Sequence, residues 1–387
     1  MLTSAVICEF NPFHNGHKYL LEHMRAQGSE CIVAVMSGSF TQRGDVAVYP
    51  KFKRAEDAIR NGADLVIELP AVWAVASAQR FAKGGCDIIK ALGCIDRVYF
   101  GSECGDMELL HKALTATEDE RVNHSVKKLM AEGEYFPLAM EKAVSEHYSR
   151  EIADIIRNPN NTLGIEYMRC LKGSGIEVCT VGRTGVSHDS NTTEGKFASA
   201  SKIRDMIQRD EDFEEFVPYP DINRDNPAFM ELGERAILYK LRDMTAEDIK
   251  NLPDVTEGLE NRILDAVHSK SSVNDILEEI KTKRYTHARL RRILTCGMLG
   301  ITKAHQATDV PYVRILGFNS YGEQLIKTAK DTCSLPMIIN VAQNIKSLSE
   351  RAQEIFGIDM KATDIRTVFE KAPTDCRQDY TNGIIKL

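Results

Sequence analysis

The 387-residue chain predicts an α/β fold. The expected architecture is a Rossmann-like, doubly wound parallel sheet with a helical insertion, followed by a mainly α-helical C-terminal domain. Three observations carry this reading. Apolar runs of strand length alternate with amphipathic helical stretches through the first hundred residues, and the runs are apolar on both faces, as in buried parallel sheets. The first strand passes through a short turn directly into a helix, the arrangement that opens ligand crevices in open sheets. Beyond residue 230 the pattern turns almost entirely to a helical period.

Residues 5–10 read as the first strand and contain Ile7, Cys8, Glu9 and Phe10. A turn follows at Asn11, Pro12 and Phe13, then His14, Asn15, Gly16 and His17. A helix runs from there, with Tyr19, Leu20, Leu21 and Met24 on one face beside Lys18, and stops near Gly28. Residues 30–36, 64–69 and 95–100 are the next strands, with helices at 51–60 and 76–92 stopped by Asn61-Gly62 and Gly93. The loop at 37–50 is polar, and Arg43 within it is either a phosphate or carboxylate contact or an exposed arginine. Residues 105–157 are helical and charged, an insertion that covers the sheet. A helix is expected at 163–171 with Asn161 or Thr162 as its N-cap, then a fifth strand at 176–181. After a polar loop, Ala198-Ser199-Ala200-Ser201-Lys202-Ile203-Arg204 opens another helix.

These elements make a catalytic domain over 1–215, and the Pro- and Asn-rich stretch 216–230 reads as a linker. The C-terminal domain, 231–387, is expected to carry helices at 234–243, 245–250, 257–268, 272–281 and 286–299, a short strand at 311–318 and a helix at 322–328.

Hydrophobic residues make up 43% of the chain and charged ones 27%, an ordinary globular balance. No apolar run approaches the roughly 18 residues of a membrane span, and residues 1–10 lack the basic start of a signal peptide, so a cytoplasmic protein is expected. The ten cysteines are scattered without a C-x-x-C pair, which points to reduced cytosolic thiols and away from a zinc site, so no metal-ligating residue is assigned. The net charge of −7 argues against a broad basic coat and leaves room for one basic patch. Residues 281–292 are the densest basic run, with Lys283, Arg284, Arg289, Arg291, Arg292 and the stackable Tyr285. Such segregation in an acidic chain favours a nucleic-acid face over a merely solvated helix.

Two imidazoles three residues apart at a helix N-terminus form an anion site, because backbone N–H groups and the helix dipole converge there. This H-x-G-H pattern resembles the signature of the nucleotidylyltransferase superfamily and of class I aminoacyl-tRNA synthetases. The chemistry it implies needs no nucleophilic side chain: a substrate oxygen attacks the α-phosphate of ATP in line and pyrophosphate leaves. His14, His17 and Arg204 are the expected catalytic donors. Ser199, Ser201 and Arg204 resemble that superfamily's I-S-S-T-x-x-R segment, from which Ala198 and Ala200 depart. Hydroxyls at a helix start and a bidentate cation suit phosphate oxygens.

Over nearly its whole length the chain resembles the bacterial tRNA(Met) cytidine acetate ligase family. The resemblance rests on residues 9–17, 34–38, 42–44, 64–70, 160–167, 285–289 and 316–319. It implies that acetate and ATP give acetyl-adenylate and pyrophosphate. The acetyl group then passes to the wobble cytidine of elongator tRNA(Met), forming N4-acetylcytidine. By position it also implies ATP binding, with Mg2+, by residues 7–20 together with Gly101, Asn161 and Arg183. Phe10 stands where the family often has tyrosine. The residues by themselves give adenylyl transfer and an RNA face; acetate and cytidine come from the resemblance alone. Two rival readings are a small-molecule adenylyltransferase of the pantetheine-phosphate or nicotinate-mononucleotide kind and a non-catalytic RNA-binding protein on this fold. The first leaves the long C-terminal segment without a use, and the second leaves His14, His17 and Arg204 without one.

Overall fold

Strands β1 (Thr3–Cys8), β2 (Cys31–Ser37), β3 (Leu65–Leu69), β4 (Arg97–Ser102) and β5 (Glu177–Gly182) form a parallel sheet in the order 3-2-1-4-5. The chain is described by a computed structural model over residues 1–182, 193–219, 226–256, 258–282 and 285–387. Arg183, Lys283 and Arg284 therefore lie outside the described residues. A two-stranded hairpin, β6 (Thr193–Glu194) and β7 (Phe197–Ala198), precedes the helix Ala200–Gln208. The order reverses at β1, so the crevice between the C-terminal ends of β1 and β4 is the ligand position of an open α/β sheet. β2 is buried along its full length because helices cover both faces, which explains its unbroken Cys-Ile-Val-Ala-Val-Met run.

The expected helical insertion is four helices, Met107–Glu118, Glu120–Ala131, Phe136–His147 and Arg150–Arg157. The helix expected at 163–171 starts earlier, at Pro159, so neither Asn161 nor Thr162 is its N-cap. Proline at the first helical position loses no needed hydrogen bond, and its fixed φ already suits the helix.

The C-terminal segment differs from a separate helical domain. Its strand β8 (Val313–Phe318) pairs antiparallel with β3, matching Leu65 with Phe318 and Glu68 with Arg314. Two short strands, β9 (Met337–Ile338) and β10 (Ile385–Lys386), flank β8, giving a mixed, mostly parallel sheet. The added strand covers the β3 edge, which would otherwise offer unpaired backbone groups. One continuous hydrophobic core joins Val35, Leu69 and Trp73 to Leu294, Ile355 and Phe356. Helix Glu350–Arg366, which has no clear periodic signature, is buried on several sides at Ile355, Phe356, Asp359, Ala362 and Arg366.

Buried charges stitch this junction. Lys51 Nζ lies 2.8 Å from Glu68 and 2.8 Å from Asp379. Tyr312 Oη donates to Asp359 at 2.5 Å, and the Ala71 N–H donates to its other oxygen at 2.7 Å. Burial, with the Glu68 charge nearby, pushes Asp359 up to about 8. Among the described residues no helix is long and apolar enough to cross a membrane.

Candidate active site

The end of β1 is bent into the crevice by its backbone. Phe10 has φ +46°, a left-handed conformation that a bulky residue rarely adopts. Its ring is wedged against Phe13 at 4.9 Å and His17 at 4.9 Å between centroids, and the Asn11–Pro12 peptide is cis. Asn11 is fastened from both ends: its Oδ1 accepts from Val48 N at 2.8 Å, and its carbonyl accepts from Arg204 Nη1 at 2.7 Å.

His14 is the N-cap of helix Asn15–Ala26. Its Nδ1 accepts the Gly16 N–H at 3.0 Å, while its own N–H donates to His17 Nδ1 at 3.3 Å. The two rings stack with centroids 3.7 Å apart. With each Nδ1 accepting, a neutral ring carries its proton on Nε2, so both histidines present Nε2–H donors. A Cβ on Gly16 would lie 2.9 Å from His14 Cε1, so glycine is what lets the ring fold back over the helix start.

The crevice is a cavity of about 660 Å³, within the usual range for small ligands. Ten of the residues expected to bind ATP from the first strand and helix line it: Ile7, Cys8, Glu9, Phe10, Asn11, His14, Gly16, His17, Tyr19 and Leu20. Gly101, Ser201, Arg204 and Arg43 line it too. Pro12, Phe13, Asn15 and Lys18 do not. Phe13 is fully buried, Lys18 faces Glu22 on the surface, and Asn15 Nδ2 donates to the Lys196 and Glu215 carbonyls at 2.8 Å each.

Two further expectations change. Ser199 caps helix Ala200–Gln208 through Lys202 N at 3.1 Å and touches Ser201 Oγ at 2.9 Å, so it positions Ser201 from outside the cavity. Asn161 is completely buried outside the cavity: its Oδ1 accepts from Glu103 N at 2.9 Å and its Nδ2 donates to Ile155 O at 3.0 Å. It shapes the loop after β4, while its neighbours Asn160 and Thr162 line the cavity.

The basic run is only partly a surface. Arg292 lines the cavity with Ala288, from helix His287–Leu299, and pairs with Asp254 at 3.0 Å. Arg289 donates to the Asp254 carbonyl at 2.6 Å and stacks over Tyr285 at 5.0 Å. Arg291 is half-exposed and lies 3.6 Å from Asp45. The run therefore does not lie wholly apart from the phosphate motifs.

The sequence reading missed how the loop after β2 is clamped. The Gln42 N–H donates to Glu9 Oε1 at 2.7 Å, Gln42 Nε2 donates to Ala76 O at 2.9 Å, and Thr295 Oγ1 donates to Gly44 O at 2.6 Å. Fully buried Arg54 donates to the Glu9 carbonyl at 2.6 Å and to the Ser37 and Gly38 carbonyls, and its burial lowers its pKa to about 10. Phe81, Phe100 and Tyr167 form an apolar wall. A glutamine, an arginine and aromatics at such distances along the chain leave no local signal.

Known proteins share this arrangement. A model described as "HIGH Nucleotidyl Transferase" matches residues 1–381. A tRNA(Met) cytidine acetate ligase of a Thermoanaerobacter species is 36% identical over 404 residues, covering 99% of each chain. One from Acetivibrio thermocellus is 35% identical over 418 residues, covering 100% of each. Among solved structures, apo Thermotoga maritima TmcAL superposes with a TM-score of 0.93 at 29% identity, covering 100% of both chains. The same protein bound with alpha-thio ATP gives 0.91. A shared sequence over the full length, on a shared fold, places this chain in the tRNA(Met) cytidine acetate ligase family of HIGH nucleotidyl transferases.

Proposed function

We propose that this chain is an ATP-dependent ligase that activates acetate as acetyl-adenylate, releasing pyrophosphate, and transfers the acetyl group to the wobble cytidine of elongator tRNA(Met), forming N4-acetylcytidine. The observation that carries the reading is the full-length likeness to proteins of that name, joined to a cavity in which His14, His17, Ser201 and Arg204 meet at two helix starts. ATP binding is supported by the alpha-thio ATP complex of the Thermotoga protein.

The triphosphate lies at the start of helix Asn15–Ala26, where the positive end of the helix dipole and the two Nε2–H donors meet it. Ser201 and Arg204 hold it from the second helix, and Arg204 is fixed in place by its bond to the Asn11 carbonyl. These donors are preorganised, so charge growing on the leaving pyrophosphate is stabilised without rearrangement. Arg43 faces the same cavity and suits the α-phosphate or the acetate carboxylate. Mg2+ accompanies the nucleotide. Among the described residues no group of three or more His, Cys, Asp or Glu could hold a metal ion, so no protein ligand is assigned to it. The tRNA meets the segment 281–292 through Lys283, Arg284, Tyr285 and Arg291, while Arg289 and Arg292 fix its helix to Asp254.

ATP–pyrophosphate exchange with and without acetate, followed by nucleoside analysis of added tRNA, tests this. Acetate-dependent exchange and N4-acetylcytidine are expected. Exchange driven by a phosphorylated small molecule, and not by acetate, would overturn it.

A further inference from the structure

Glu9 is a carboxylate in a cavity whose first two substrates are anions. It sits just beyond β1, half-buried, and lines the cavity with Arg43 and Arg204. Acetate and a triphosphate both gain from cations there and lose from a carboxylate. Adenylate formation also needs no base, because acetate attacks as an anion already. Glu9 is therefore not needed as a base in the first step.

Its placement is nonetheless over-determined. Arg54 holds its carbonyl at 2.6 Å and Gln42 N holds Oε1 at 2.7 Å. Oε2 makes no hydrogen bond among the described residues. The loop that supplies Gln42 rests on helix His287–Leu299, which contributes Ala288 and Arg292 to the same cavity. The groups around Glu9 are Cys8, Arg43, Asp45, Arg54, Tyr167 and Arg204. Burial raises the Glu9 carboxyl above the usual carboxylate range, against the opposing pull of Gln42 N–H, Arg204 and Arg43. A base of raised pKa is a better proton acceptor near neutral pH.

We propose that Glu9 is the base that takes the proton lost by the acceptor amine in acyl transfer. The inference rests on the acetyl-transfer reading above. The cytidine N4 lone pair is delocalised into its ring, so the nitrogen is a weak nucleophile until a proton leaves it. The N4 nitrogen attacks the acyl carbon of acetyl-adenylate and a C–N bond forms. The C–O bond to the AMP phosphate breaks, and AMP leaves with that electron pair. The N–H proton passes to Glu9 Oε2. Nothing is oxidised or reduced.

Glu9→Gln keeps the acceptor for Gln42 N and removes the base. Acetate-dependent exchange and single-turnover transfer from preformed enzyme-bound acetyl-adenylate to tRNA are measured on the full chain across pH 5.5 to 9. Glu9→Gln should slow transfer by about 100-fold or more, and by at least about 30-fold beyond any fall in exchange. The rise of transfer rate with pH that marks Glu9 ionisation should vanish in Glu9→Gln and persist in Glu9→Asp. Hydroxylamine, a stronger nucleophile that needs less help, should still capture the acetyl group in Glu9→Gln at a rate matching its exchange. Equal falls in exchange and transfer, or an unchanged pH profile, would overturn the assignment. Absence of acetate-dependent exchange in the wild-type chain would instead overturn the ligase reading, and this role with it.

Discussion

His14 lines the cavity and also caps its own helix through the 3.0 Å bond to Gly16 N. His14→Ala should therefore lower adenylate formation by about two orders of magnitude, the typical result of removing one preorganised donor. It should also cost about 1 kcal/mol of stability as a lost N-cap. His17 is not an N-cap, and the His14 N–H it accepts is longer at 3.3 Å, so His17→Ala should show a similar rate loss with a smaller shift in denaturation midpoint. Exchange assays and urea melts of both variants read this difference, and near-normal exchange in either would remove the histidines from the mechanism. Arg204→Ala should raise the KM for ATP and slow turnover with the KM for acetate little changed, because its proposed partner is a phosphate. The Asn11 carbonyl also loses its guanidinium partner, so a parallel loss of acetate binding would mean the strand end had moved instead.

At the scale of elements, the loop after β2 joins the nucleotide cavity to the C-terminal helix. Gly44 has φ +82°, and a Cβ there would lie 2.7 Å from the Arg291 carbonyl carbon and the Arg292 nitrogen. Backbone cannot step aside as a flexible side chain can. Gly44→Ala should thus lift the loop off helix His287–Leu299, displacing Gln42 and Arg43. The expected cost is about 1–3 kcal/mol in unfolding free energy, with a larger proportional loss of exchange activity than of ATP binding. The buried carboxyl of Asp359 sets a second element-scale expectation. Its folded pKa of about 8 lies above the ordinary Asp value, so the native state holds a proton that the unfolded chain releases. That contribution to stability is complete in acid and is lost as pH rises through about 8. Asp359→Asn can still accept from Ala71 N and meet Tyr312, so thermal melts should show a flatter decline between about pH 4 and pH 8 than the wild type.

For the whole molecule, the junction of β8 with β3 decides which truncations are informative. A chain cut near residue 225 loses β8, the helix Glu350–Arg366 and the Asp379 partner of Lys51. It leaves the β3 edge and a buried lysine uncovered, so it should aggregate, and its inactivity would say nothing about tRNA. Charge variants are the cleaner probe. Arg289 and Arg292 hold Asp254, and Arg291 faces Asp45, so Lys283→Gln with Arg284→Gln is the change that spares these bonds. Weaker tRNA binding is expected, with the log–log salt slope reduced by about two. Unchanged affinity and slope would place the RNA elsewhere on the surface.

Local pattern alone determined the sheet strands, their alternation with helices, the H-x-G-H start and the segment ending at Arg204. Each of these is written in a few consecutive residues: apolar runs of strand length, a glycine between two histidines, serines before a helix. The reach of the site into the C-terminal segment was not legible. Val313, Ile315, Leu316 and Phe318 of β8 announce a strand but not its partner, and Glu350–Arg366 hides its helix because burial on several sides removes the polar stripe that periodicity needs. The roles of Asn161, Arg292 and Glu9 likewise depended on neighbours far along the chain: Glu103 from β4's loop, Asp254 from the helical segment, Gln42 from the loop after β2. Side-chain type restricts what bonds a residue can make, but only the folded chain sets which donor stands 3 Å away, and that choice separates a ligand contact from a brace.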